Sequence, residues 1–196
     1  MKNLMAAVAV AVMLAPQPAD AQTSTRIRGT ITAYDGKVLA VRSREGKDLQ
    51  LKMAPDATVA YPKAITLADL KPGDYVGTTS TRNSDGRLVA REVHTIPKTA
   101  AEGHRPWDLE PGSTMTNANI ARTVKATSGH ELTLEYKGGS QTILVPDGTP
   151  IVASQPGDKS LLVPGTYVYI TAEVAADGSM TAQRIQAAKD GVRPPQ

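Results

Sequence analysis

Two groups of residues in this chain have types and spacing that could do chemistry. Arg26, Arg28, Arg42 and Arg44 share one parity on two consecutive alternating segments. Asp35-Gly36 between them reads as a tight hairpin, which makes the segments neighbours and puts the four guanidinium groups on one outward sheet face. Such a face could grip phosphates or acidic sugars through paired N–H donors. The plainer reading is a solvated outer face, where strand arginines are common. The second group is Glu92-x-His94, with His104 ten residues further on and Asp108 beyond it. Glu92 and His94 fall on one face of a strand, and with His104 they could hold a divalent metal. No zinc spacing is matched, and surface residues near a domain edge account for them as simply.

Other chemistry is poorly served. There is no cysteine, no Gly-x-Ser-x-Gly and no glycine-rich phosphate loop, so a nucleophile with its base is missing. The Asp-Gly pairs stand alone, whereas a calcium loop gathers several oxygen donors within about a dozen residues. A single-strand nucleic-acid reader stacks bases on exposed aromatics, and the first half of the chain offers only Tyr34, Tyr61 and Tyr75. The expectation is therefore a non-enzymatic protein without cofactor and without nucleic acid.

The N-terminus narrows the setting. Lys2 precedes an unbroken apolar run, Leu4 to Leu14, and Ala19-Asp20-Ala21 follows helix-breaking Pro16 and Pro18. This is the layout of a secretory signal peptide spanning 1–21 and cleaved after Ala21; a retained anchor is the alternative. The run is shorter than the roughly 20 residues that cross a bilayer. The mature chain is expected in the periplasm, without a transmembrane segment and as a monomer. Net charge is +3, with 12 Lys/Arg against 8 Asp/Glu over residues 26–95 and 5 against 6 over 121–188. The first half is mildly basic and the second near neutral.

The elements that must position these groups are short strands. Ile27, Gly29, Ile31 and Ala33 alternate with Arg26, Arg28, Thr30 and Thr32, the period of a half-buried strand. Leu39 and Val41, then Leu49, Leu51 and Met53, continue the pattern through turns at Asp35-Gly36 and Glu45-Gly46. Leu67 to Val76 contains one helical turn, capped by Thr66 with Asp69 three residues on and stopped by Pro72-Gly73. The same order returns about 92 residues later: Leu161 to Val168 carries Pro164-Gly165, Ser160 stands where Thr66 stood, and Asp177-Gly178 matches Asp85-Gly86. Such a repeat is a tandem duplication. In both last strands the inward parity switches, between Ala90 and Val93 and between Ala182 and Ile185, which predicts a β-bulge in each.

These features predict an all-β protein of two tandem small OB-like antiparallel β-barrels with five to six strands each: repeat 1 over 26–96 and repeat 2 over 120–188. One continuous sandwich is the alternative fold. Residues 97–119 form a polar linker holding Trp107, the chain's one tryptophan. It is expected to staple the domains together or to anchor a partner. Residues 189–196 are expected to be a flexible tail.

The repeated pattern resembles a family of exported bacterial domains with no assigned function. The matching residues are Gly29-Thr30-Ile31, Asp35-Gly36, Asp56-Ala57-Thr58, Leu70-Lys71-Pro72-Gly73-Asp74-Tyr75-Val76, Asp85-Gly86 and Ala90-Arg91-Glu92-Val93. The second copy departs at Ser128-Gly129 and at Thr166. The resemblance implies a barrel and an exported location, and no reaction. Together these readings predict a periplasmic binding or adaptor module for an anionic envelope component or another envelope protein. A metal-binding accessory, for example to a transporter, is the second reading, and a hydrolase of unfamiliar type the third.

Overall fold

The computed structural model describes residues 23–127 and 129–195. The expected signal peptide and its cleavage point lie outside the described residues. Twelve strands fold from them: β1 (Thr23–Tyr34), β2 (Val38–Ser43), β3 (Asp48–Ala64), β4 (Tyr75–Arg82), β5 (Leu88–Thr95), β6 (Gly103–Pro106), β7 (Thr114–Ala126), β8 (Gly129–Tyr136), β9 (Gly139–Val145), β10 (Ile151–Pro156), β11 (Tyr167–Val174) and β12 (Met180–Ala187).

Two five-stranded rings close. In the first, β1 pairs with β2, β2 with β3, β3 with β12, β12 with β11, and β11 back with β1. In the second, β7, β8, β9, β5 and β4 do the same. In each, one parallel pair closes an otherwise antiparallel ring, as in the small OB-type barrel. Closure removes the open edges that short antiparallel strands would otherwise leave.

The barrels do not coincide with the repeats. Each takes three strands from one repeat and two from the other, so the expectation that 26–96 and 120–188 each close a barrel of their own gives way to a strand exchange within one chain. The cause is β3. It runs 17 residues as one strand, with a register shift against β12 between Met53 and Thr58. Its first half pairs with β2 and β12, and its last residues pair with β10. The chain therefore leaves the first barrel and delivers Leu67 and Leu70 to the core of the second. The returning copy delivers Leu161 and Leu162 to the first.

The β3–β10 pairing joins Ala64 to Val152 and Tyr61 to Gln155. At this point the repeat offset is 91, as from Asp56 to Asp147. Tyr61 thus corresponds to Val152 and Ala64 to Gln155, and the pairing maps onto itself across a local pseudo-two-fold axis.

The cores are aliphatic. Ile31, Leu39, Leu51, Ile170 and Ile185 fill the first barrel, and Val76, Val93, Leu132, Leu134 and Ile143 the second, each at most 1% exposed. Full burial of each such side chain stabilises by about 1.5–3 kcal/mol. The parity switches are bulges at Arg91 and Gln183, which the pairing skips. They turn Ala90 and Val93, and Ala182 and Ile185, inward together.

Three local expectations are corrected. The second helical turn is capped by Asp158, whose carboxylate accepts from the Ser160 amide at 2.8 Å, because Asp158 and not Ser160 lies 92 residues after Thr66. The linker is largely structured: β6 adds to the free edge of β7, which itself begins at Thr114. The tail docks, with Pro194 and Pro195 buried, Arg193 over the Tyr167 ring and Lys189 over that of Tyr61.

The exchange can be checked by crosslinking, since the chain has no cysteine of its own. Ser24 lies opposite Glu173, and directly opposed residues have Cα atoms about 4.5–5.5 Å apart, within disulfide range. Ser24→Cys with Glu173→Cys is expected to form an intramolecular disulfide on oxidation. Ser24→Cys with Thr81→Cys, the pair that unexchanged barrels would bring together, is expected to remain reduced. Gel mobility with and without reductant reads the difference.

Candidate functional site

The linker segment after β6 crosses to the first barrel and takes up the arginines. Asp108 accepts from Arg28 at 2.7 Å and from Arg26 at 3.3 Å. The carbonyls of Asp108 and Leu109 accept from Arg44 at 2.9 and 3.2 Å, and Glu110 accepts from Arg91 at 2.6 Å. Arg26 lies over the Trp107 ring, 3.9 Å from its centroid. The four-arginine outer face of the sequence reading is thus corrected. Arg28 is buried, at 3% exposure; Arg26, Arg28 and Arg44 are held by residues 107–109. Arg42 lies exposed against Asp48. Trp107 sits half-buried at the junction of the two barrels.

Asp108 is the electrostatic centre of this latch. Burial opposes its ionisation, but the hydrogen bond from Arg28 and the charges of Arg28 and Arg26 together outweigh it and lower its pKa. Nearby, burial raises the pKa of Tyr169 against the opposing charge of Arg28, whose guanidinium lies 5.2 Å from the ring centroid.

The metal-ligand group does not assemble. Glu92 and His94 do meet: Glu92 accepts from Thr79 Oγ1 at 2.8 Å and joins His94 Nδ1 at 2.9 Å, all buried. His104, however, is three strands away, through β4 and β7. It pairs in the row of Val93, Thr78 and Thr116, the sheet face opposite to that of His94. There it bonds Thr116 Oγ1 at 2.8 Å, and burial, with a smaller part from Arg82, lowers its pKa. Among the described residues no three His, Asp or Glu side chains gather as a metal site.

What the packing of the two barrels does create is a cleft of about 540 Å³. Its first wall is the outer face of β12, β11 and β1, carrying Arg184, Gln186, Tyr169, Thr171 and Arg26. Facing it are His94 from β5, Asn117 from β7, and the linker residues Ile96, Pro97, Arg105 and Trp107. Among the described residues three arginines and one histidine line it, and no aspartate or glutamate does. His94 needs Gly77 beneath it: a Cβ there would lie 2.5 Å from His94 Nε2 and 3.1 Å from Asn117 Oδ1. Buried Gln186 Oε1 and Arg28 Nε have no hydrogen-bond partner among the described residues, two unmet polar atoms on the rows that form the first wall.

A family model described as a domain of unknown function, DUF5666, matches residues 28–94 and again 123–186. The chain belongs to that family. The two DUF5666 segments are the two sequence repeats, so the strand exchange lies between two copies of one domain. Neither a curated protein nor a solved structure matches the chain. Sequence reasoning found Arg26, His94 and Trp107 of this cleft but missed Arg105, Asn117, Arg184 and Gln186, because the cleft gathers residues from distant parts of the chain, Arg26 and Arg184 being 158 positions apart. One signal was available: at an offset of 92, Arg184 replaces Glu92 and Gln186 replaces His94 in the second DUF5666 copy.

Two outcomes follow from this geometry. Asp108→Asn is expected to lower the melting temperature at neutral pH. The native pKa of Asp108 lies below 3.8, so its contribution is present above that value and lost as pH falls through the native pKa. The difference from wild type should accordingly shrink in thermal melts below pH 3.8. Gly77→Ala is expected to displace the His94 ring and to cost about 1–3 kcal/mol by overpacking. Denaturant melts and the His94 imidazole NMR signals check it.

Proposed function

We propose that this protein is a non-catalytic, exported binding module that takes an anionic ligand of the cell envelope into the cleft between its two barrels. The observation that carries this reading is the charge of the lining: Arg26, Arg105 and Arg184, with no lining carboxylate among the described residues. Asp108 neutralises part of Arg26 from the linker side, whereas Arg184 makes no ion pair among the described residues. Arg105 and Arg184, neither in an ion pair among the described residues, favour an anion in this concave surface, and guanidinium suits carboxylate and phosphate alike. The volume falls within the range of small-molecule sites. The N-terminal charge, apolar run and Ala19-Asp20-Ala21 support the exported location.

The test is binding of anions by the mature chain at low salt, where charge attraction is least screened. Arg26→Gln with Arg105→Gln is expected to cut retention on a polyanion column and to weaken small-anion binding tenfold or more. Arg42→Gln, outside the cleft and paired with Asp48, is expected to leave both unchanged. Equal retention by wild type and the double variant would remove the reading.

A further inference from the structure

The exchange makes the two walls of the cleft the same structural positions drawn from two repeats. Strand register fixes the correspondence. In the second barrel Glu92, Thr79 and Met115 lie side by side across β5, β4 and β7. In the first barrel Arg184, Thr171 and Arg26 lie side by side across β12, β11 and β1. The bulge follows Thr79 in one and Thr171 in the other, so the rows match residue for residue. The next rows match too: His94, Gly77 and Asn117 against Gln186, Tyr169 and Arg28.

The first of these rows is chemically complete. Its threonine, Thr79, donates to the carboxylate of Glu92, whose other oxygen joins His94. The second has lost the carboxylate and gained two cations. Arg184 stands in the place of Glu92 and Arg26 in the place of Met115, with Thr171 between them. Arg184 is exposed and Thr171 half-buried, and neither side chain is engaged in a hydrogen bond or ion pair among the described residues. Asp56 and Glu173 border the neighbouring hollow with Arg184 and form no ion pair with it. Asp108 reaches Arg26 at 3.3 Å but makes its shorter bond, 2.7 Å, to Arg28.

We infer that Arg184, Thr171 and Arg26 form a carboxylate subsite, in which a ligand carboxylate takes the hydroxyl contact that Glu92 makes with Thr79 in the first repeat. This rests on the anion-binding reading of the cleft and adds the chemical class of the ligand. Arg184 and Arg26 flank Thr171 in the sheet and carry the charge-assisted donors a carboxylate needs. Beside His94, Asn117 and Arg105, the opposite side of the cleft carries Ile96, Pro97, Trp107 and Met115, a stretch that suits an apolar body of the acid. The ligand class is a small monocarboxylate with an aromatic or aliphatic body.

The experiment titrates the mature chain with indole-3-acetate, acetate and inorganic phosphate at equal ionic strength, followed by calorimetry and by amide NMR shifts. Indole-3-acetate is expected to bind saturably, and acetate and phosphate at least tenfold more weakly. Arg184→Gln and Thr171→Val, on exposed and half-buried positions, are each expected to weaken indole-3-acetate at least tenfold without changing the circular dichroism. Arg184→Glu restores an internal carboxylate beside Thr171 and is expected to abolish binding. Binding that survives these substitutions but is lost in Arg105→Gln would overturn the subsite and leave the anion-binding cleft standing. Phosphate binding as tightly as indole-3-acetate, with dependence on Arg184, would overturn the carboxylate class. Wild type that takes up none of the three probes and is not retained on a polyanion would overturn both readings.

Discussion

Strand β3 has no turn in it, and the rest of the molecule is arranged around that fact. The last residues of β3 run on past its own barrel to pair with β10, so the next two strands lie beside the neighbour, and β4 and β5 complete that barrel instead. The second copy reaches the same end differently. Its long strand is interrupted, as β9 and β10 around Pro146 to Pro150, yet both parts still pair with β5, as β3 does with β12. Each barrel keeps the hydrogen bonds and core contacts of a self-contained one, and the β3–β10 ladder is added. Exchange of identical elements costs little for this reason.

The linker then sets the electrostatics. Asp108 is half-exposed but faces two guanidinium groups, one of them buried, and a buried charge without a partner is costly. Arg28 therefore depends on a residue 80 positions away, and the barrels are joined by charge as well as by strand pairing. The same contacts convert what would be a basic sheet face into a covered junction, and Arg105 and Arg184 line the cleft without an ion pair among the described residues.

Much of the fold was legible in the sequence. Period-two alternation, the Asp-Gly and Pro-Gly turns and the 92-residue repeat identify the strands, the two barrels and both bulges, because each of these is governed by residues close together in the chain. The exchange was not legible, since exchanged and unexchanged barrels use the same local pattern and differ only in which copy supplies a partner. The site suffered for that reason. Parity marked Arg28 as outward, and it is outward from its own barrel, but the linker buries it. His94 and His104 look close in number, yet β4 and β7 lie between them and their rows are adjacent ones, which puts the two rings on opposite faces of one sheet. Pro194 and Pro195 are buried in a hollow that the packed barrels form, invisible in a short tail of polar and proline residues.

Joining two copies of a domain in one polypeptide has a consequence for how such a surface can diversify. Were the same barrels assembled from two separate, identical chains, any substitution in one barrel would be imposed on its equivalent in the other. In a single chain the two positions mutate independently. Glu92 and Arg184 are the outcome: one repeat position holding opposite charges, the acid buried against Thr79 and His94 and the base lining the cleft, an asymmetry unavailable to a homodimer.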